Sequence, residues 1–104
     1  MTDKEPWDSV RLRKKILEHL DSETVFLTVH AAKAQVDDGL DLQDTLHVLR
    51  SEVLDSKHTE FHTKTQRWRY GVRERTEDAK NVIVILFFEK EMVIVTVFKV
   101  GKNR

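Results

Sequence analysis

Four arginines within ten residues are the side chains of this sequence best suited to chemistry. The stretch QRWRYGVRER, residues 66–75, spaces Arg67, Arg69, Arg73 and Arg75 evenly about Gly71. Successive side chains of a strand point to opposite faces, so an extended stretch here puts all four on one face. Trp68, Tyr70 and Val72 then share the other and face a core. The four arginines span about 20 Å at roughly 3.3 Å per residue. Each guanidinium presents a planar fork of donors that matches phosphate oxygens. Gly71, lacking a side chain, leaves a gap in which a ligand can approach the backbone. Such a stripe suits the backbone of a single-stranded nucleic acid. The competing reading is a solvated sheet face whose arginines pair with neighbouring carboxylates.

The histidines come next. His30 follows the apolar stretch TVFLTV and precedes HAAKAQVDDG, which places it at a helix N-terminus. The partial positive charge there favours a neutral imidazole, which can take a proton during hydrolysis. The plainer alternative is a histidine that hydrogen-bonds across the helix start and fixes packing. His58, Glu60 and His62 lie in HTEFH, with the glutamate misplaced for a zinc-protease motif and no further ligand in view. That segment reads as a polar surface loop. His19 reads as a solvated residue near a helix end. Thr96 and Lys99 interrupt the last apolar run on opposite faces. Lys99 suits an edge strand, and a buried Thr96 needs a hydrogen-bond partner. No serine elbow, phosphate loop or metal-spaced carboxylate cluster appears; Asp37, Asp38, Asp41 and Asp44 read as helix ends and caps.

These residues need a scaffold, and the apolar runs supply it. Val82–Phe88 is unbroken, and Val93–Val100 is broken only at Thr96 and Lys99, with Glu89, Lys90 and Glu91 between. Two such runs predict an antiparallel hairpin with the first run as a central strand. Arg67–Thr76 predicts a third strand and Glu52–Lys57 a weak fourth, with a loop over 58–66. A helix is expected from a cap at Asp8 or Ser9 to Leu20, carrying Val10, Leu12, Ile16, Leu17 and Leu20 on its apolar stripe. Residues 24–29 read as a short strand or connector. A second helix is expected over 30–38, capped by Thr28 and stopped by Gly39. A third runs from a cap at Asp41 to Arg50 or Ser51, with Leu42, Thr45, Leu46 and Leu49 on one face. Residues 1–7 read as a frayed end. Helices first and strands afterwards argue an α+β fold.

Composition is that of a single soluble domain: 104 residues, 39% hydrophobic and 35% charged. No apolar run reaches the roughly 18 residues of a membrane helix. There is no cysteine, hence no disulfide framework, and no apolar signal-peptide core, so a cytoplasmic location is expected. The net charge of zero hides an asymmetry. Residues 1–56 hold seven Lys and Arg against twelve Asp and Glu, a net of −5, and residues 57–104 hold eleven against six, a net of +5. A basic sheet beside acidic helices and internal charge complementarity are both consistent with this division.

The order of these pieces resembles a family of small bacterial proteins of unknown function. Its members carry a Thr-x-His-Ala segment, a helix, a Gly-containing turn, a second helix, an Arg-Tyr-x-Val strand and a final Val-Ile-Thr-Val-Tyr strand. The matching pieces here are Thr28-Val29-His30-Ala31, Gly39-Leu40-Asp41, Arg69-Tyr70-Gly71-Val72 and Val93-Ile94-Val95-Thr96-Val97-Phe98. The family is similar to the RelE and BrnT toxins, metal-independent ribonucleases of toxin–antitoxin systems. The resemblance implies two or three N-terminal helices packed on a curved antiparallel sheet of about four strands. It implies RNA as substrate, no cofactor or metal, and a protein antitoxin as partner. In that scheme His30 moves protons, and Arg69 with Arg73 stabilises a pentacoordinate phosphate. Arg67, Arg75, Lys33 and Lys99 hold the RNA backbone. Lys33 stands where members carry an arginine, and Asp37-Asp38 occupy later basic positions. Those departures favour an alternative, a non-catalytic interaction module on the same fold.

Overall fold

The apolar run of residues 82–88 forms the middle strand. The computed structural model describes residues 5–51, 53–76 and 79–100. Its elements are α1 (Ser9–Asp21), β1 (Val25–Leu27), α2 (Val29–Asp37), α3 (Leu42–Ser51), β2 (Val53–His62), β3 (Arg67–Arg75), β4 (Asn81–Phe88) and β5 (Met92–Lys99). The strand order is β1-β5-β4-β3-β2. β2 through β5 form an antiparallel meander, and β1 pairs in parallel with β5. The fold is therefore α+β, with three helices on a mixed, mostly antiparallel sheet of five strands among the described residues.

Two expectations are corrected by this sheet. It is not purely antiparallel, because TVFLTV supplies a fifth, parallel strand at one edge. Thr24 accepts from the Met92 amide at 2.9 Å, and Thr28 donates its amide to Ile94 at 3.2 Å. The loop expected over 58–66 is shorter, because β2 runs on to His62. Its polar residues mislead because an edge strand with one face in water has few apolar positions to show.

Local signals hold well in the helices. The Asp8 side chain caps α1 by accepting from the Arg11 amide at 2.9 Å, and the Thr28 hydroxyl caps α2 by accepting from Ala31 at 3.0 Å. Asp41 and Asp44 close the start of α3 reciprocally: each carboxylate accepts from the other's amide, at 3.0 and 3.1 Å. This is a capping box with aspartate in the glutamate place. α2 stops at Gly39, whose φ of 70° is left-handed. Gly39 donates to Val36 and Leu40 to Gln35, which satisfies the orphan carbonyls in a Schellman ending.

The core lies between the helices and one face of the sheet. Leu12, Ile16, Ala31, Val48 and Leu49 meet Tyr70, Val72, Val84, Leu86, Met92, Ile94 and Val97 there, all buried. Val48 is buried and Leu42 half-exposed, so the α3 stripe is rotated toward Val48 relative to expectation; Val10 is exposed as well. Residues 5–7 are docked rather than frayed, whereas residues 1–4 lie outside the described residues. Trp7 stacks on Tyr70 with ring centroids 5.7 Å apart and also meets Phe88 at 5.0 Å. The Tyr70 hydroxyl donates to Glu5 at 2.8 Å and accepts from the Trp7 amide at 3.1 Å. Burial, above all, pushes the Tyr70 phenol well above its ordinary pKa; the bond from the Trp7 amide opposes this, and Glu5 adds to it.

Candidate functional site: a histidine–aspartate pair on the helix-free sheet face

Register decides which side chains share the face away from the helices. On β3, Tyr70 and Val72 point into the core, so Arg67, Arg69, Gly71, Arg73 and Arg75 point the other way. Gly71 pairs with Ile85 and Arg73 with Ile83 on β4, and these pair with Thr96 and Phe98 on β5. Phe87 pairs with Val93 one row further along. Arginines from one strand thus border an apolar floor from the next two.

The predicted gap at Gly71 is filled by the chain itself. β2 keeps its pairing with β3 up to Asp55 and resumes at Glu60, so residues 56–59 bulge out of register. The bulge carries His58 over Gly71. A Cβ at Gly71 would lie 2.6 Å from the His58 Cβ, closer than such atoms approach, so glycine is required by this close contact. The His58 ring reaches on to Phe98, with centroids 5.7 Å apart. This helps to explain why Ile83 is only 1% exposed although it lies outside the main core cluster.

The bulge is a bonded unit. The Asp55 carboxylate accepts from His58 Nδ1 at 2.8 Å and from the Lys57 amide at 3.1 Å. Thr59 donates its hydroxyl to the Asp55 carbonyl at 2.9 Å and accepts from the Gly71 amide at 3.1 Å. Asp55 is 7% exposed and His58 37%. A carboxylate on Nδ1 fixes the tautomer and leaves Nε2 as the nitrogen that can exchange a proton with a ligand. The chemistry available is general acid–base transfer at an oriented imidazole, beside arginines two residues to either side of Gly71.

The four arginines do share a face, as their spacing predicts, but their surroundings differ. Arg67 pairs with Glu89 at 2.9 Å and lies over the Phe87 ring at 5.6 Å. Arg69 is half-buried, and its Nε has no hydrogen-bond partner among the described residues. Arg73 and Arg75 are exposed. The backbone carbonyl of Arg75 accepts from His47 Nε2 at 3.0 Å, which ties that end of β3 to α3.

The remaining candidates lie elsewhere. His30 is exposed in the first turn of α2, a helix whose Ala31 faces the core. β1, which leads into it, is separated from β3 by β5 and β4, three strand spacings or about 14 Å. His30 and Arg69 are therefore not brought to one phosphate-sized site. Lys33 pairs with Asp37 at 3.5 Å on the exposed side of α2. Lys99 is on the core-facing row of β5, beyond the three residues that β1 covers, and Asp38 accepts from its amide at 2.7 Å. Among the described residues no three His, Asp or Glu side chains gather as metal ligands.

The sequence reading leaves His58 out of the candidate site because HTEFH, whether taken as helix or as strand, shows no third or fourth metal ligand and reads as a polar surface loop. The usable signal was Asp55-x-x-His58 followed by a glycine in the neighbouring strand. Comparison with family models, with curated proteins and with solved structures finds no match for this chain.

Proposed function

We propose that the helix-free sheet face binds RNA and cleaves it without a metal, as the resemblance to RelE- and BrnT-type toxins implies. The observation that carries this reading is the Asp55–His58 pair, 2.8 Å apart and seated over Gly71 between Arg69 and Arg73. His58 Nε2 takes the proton of a ribose 2′-hydroxyl while Asp55 holds Nδ1–H. The 2′-oxygen bonds to phosphorus, the bond from phosphorus to the 5′-oxygen breaks, and the imidazolium returns its proton to the departing oxygen. Arg69 and Arg73 stabilise the charge that builds on the pentacoordinate phosphate. The products are a 2′,3′-cyclic phosphate and a 5′-hydroxyl. In this scheme His58 takes the proton-moving role that the sequence suggests for His30, because His58 lies over Gly71 between Arg69 and Arg73 and His30 does not reach that face.

The test is cleavage of a labelled single-stranded RNA in the presence of a chelator, with growth arrest on expression as the cellular counterpart. His58→Ala is expected to reduce cleavage by about 10²–10⁴-fold, the usual range for a general acid–base group. Arg69→Ala is expected to cost about 2.7–4 kcal/mol of transition-state stabilisation. His30→Ala is expected to leave the rate unchanged. A folded His58→Ala variant that cleaves at the wild-type rate overturns the scheme.

A non-catalytic interaction module is the second reading. The Arg67–Glu89 pair favours it, since a guanidinium held by a carboxylate in the same chain is less available to a phosphate. Binding through phosphates weakens steeply as salt rises, whereas a binding surface dominated by apolar contacts does not.

A further inference from the structure

The helix-free face carries more than phosphate ligands. Beside the arginine row of β3, β4 contributes Ile85 and Phe87, and β5 contributes Val93, Thr96 and Phe98. All five are half-buried, and the helices that cover the opposite face leave this one uncovered. Adjacent strands lie about 4.8 Å apart, so this floor begins one strand from the guanidinium row and ends about 10 Å from it. A nucleotide has the same two-part layout, with charge on the backbone and an apolar, stackable plane one sugar away.

Resting on the RNA reading above, we infer that the floor of Phe87, Val93, Ile85 and Thr96 is a base seat, so the protein takes unpaired nucleic acid and not duplex. The backbone runs along β3 over Arg69 and Arg73. The bases turn toward β4 and β5, where Phe87 offers a ring for stacking and Thr96 a hydroxyl for a base edge. Arg67 lies over the Phe87 ring at 5.6 Å, so on that side a base stacks on the guanidinium plane or takes its place. A duplex presents phosphates to the arginines but keeps its bases inside, and leaves the floor unused.

The experiment uses the full chain and a 2′-O-methyl RNA oligonucleotide, which cannot be cleaved by 2′-oxygen attack, so binding is read apart from catalysis. Fluorescence anisotropy is recorded with the labelled strand alone and with its complement annealed. The single strand is expected to bind more tightly than the duplex. Phe87→Ala is expected to weaken the single strand by about 5- to 150-fold, the range for loss of one aromatic–base stack, and to leave the duplex unchanged. Phe87→Leu keeps an apolar side chain at that position and should show the same selective loss, which separates stacking from unfolding. Arg73→Ala should weaken both forms. Equal binding of strand and duplex, with no effect of either Phe87 substitution, overturns the base seat while the phosphate-binding reading stands. No binding of either form by the folded wild type overturns both.

Discussion

The two faces of the central strands are made from alternate residues of the same chain segments, yet one is closed and the other open. On the helix side Tyr70, Val72, Val84 and Leu86 are fully buried. One residue along, Arg69, Ile85 and Phe87 are only half-buried and Arg73 is exposed. The closed face is sealed by three helices. The open face has the β2 bulge laid across Gly71, and that bulge brings the histidine. Alternation along a strand therefore separates the residues that hold the fold from those available for chemistry.

The largest effect expected from this contrast is on stability. Leu86→Ala should cost about 2–5 kcal/mol in urea or thermal unfolding, the usual range for a buried leucine. Ile85→Ala, on the open face, should cost distinctly less. Equal costs would mean that both faces are sealed alike, and the contrast would fail.

Gly71→Ala is the next largest, because it strikes the contact that joins the open face to β2. The added methyl meets the His58 Cβ at 2.6 Å, and the His58 backbone carbonyl lies 3.1 Å away, so the bulge must shift. Overpacking of this kind costs about 1–3 kcal/mol. The cleavage rate should fall with it, because Asp55 and His58 move together. Unchanged stability and unchanged amide exchange at residues 55–60 would show that the bulge gives way freely.

Tyr70 tests the closed face by pH. It is the only tyrosine, so phenolate absorbance near 295 nm reports on it alone. Its pKa is raised in the fold, chiefly by burial. A raised phenol pKa means that the folded state favours the protonated form. Its contribution to stability is complete below the unfolded value of about 10 and is lost as pH rises above it. The folded protein should show little phenolate signal at pH 10, and stability should decline from there upward. Tyr70→Phe should flatten that decline and cost about 0.5–1.5 kcal/mol at neutral pH, from the loss of the Glu5 and Trp7 bonds. A phenol that titrates at its ordinary value would show that residues 5–7 do not cover the ring.

Local signals carried most of the closed face in the sequence. The caps at Asp8, Thr28 and Asp41 and the stop at Gly39 depend on neighbours within a few residues, and each is where the spacing puts it. The apolar run at 82–88 announced a central strand for the same reason. The open face was legible only in part. Alternation placed the four arginines together, but nothing local in HTEFH says that residues 56–59 leave register, or that His58 folds onto a glycine thirteen positions later. β1 was equally hidden, because a three-residue parallel strand is fixed by its partner β5 and not by its own composition. His30 had the local marks of a helix start, and those marks are correct; what they lacked was the strand order that sets it apart from Arg69.

The smallest stability effect belongs to Arg73, and it sharpens the contrast most. Arg73 is exposed, so Arg73→Ala should change unfolding free energy by no more than about 0.5 kcal/mol, the usual range for a surface position. Its effect on RNA should be of another kind. A guanidinium that neutralises one phosphate of a single strand contributes about 0.7 to the slope of log affinity against log salt. The variant should bind the uncleavable oligonucleotide more weakly at low salt, with a slope shallower by that amount, and converge with the wild type as salt rises. Leu86→Ala is the converse control, costing stability while any fraction that stays folded keeps the wild-type slope. If Arg73→Ala leaves the slope unchanged, the arginine row is a solvated sheet face, and the open side of the sheet needs another explanation.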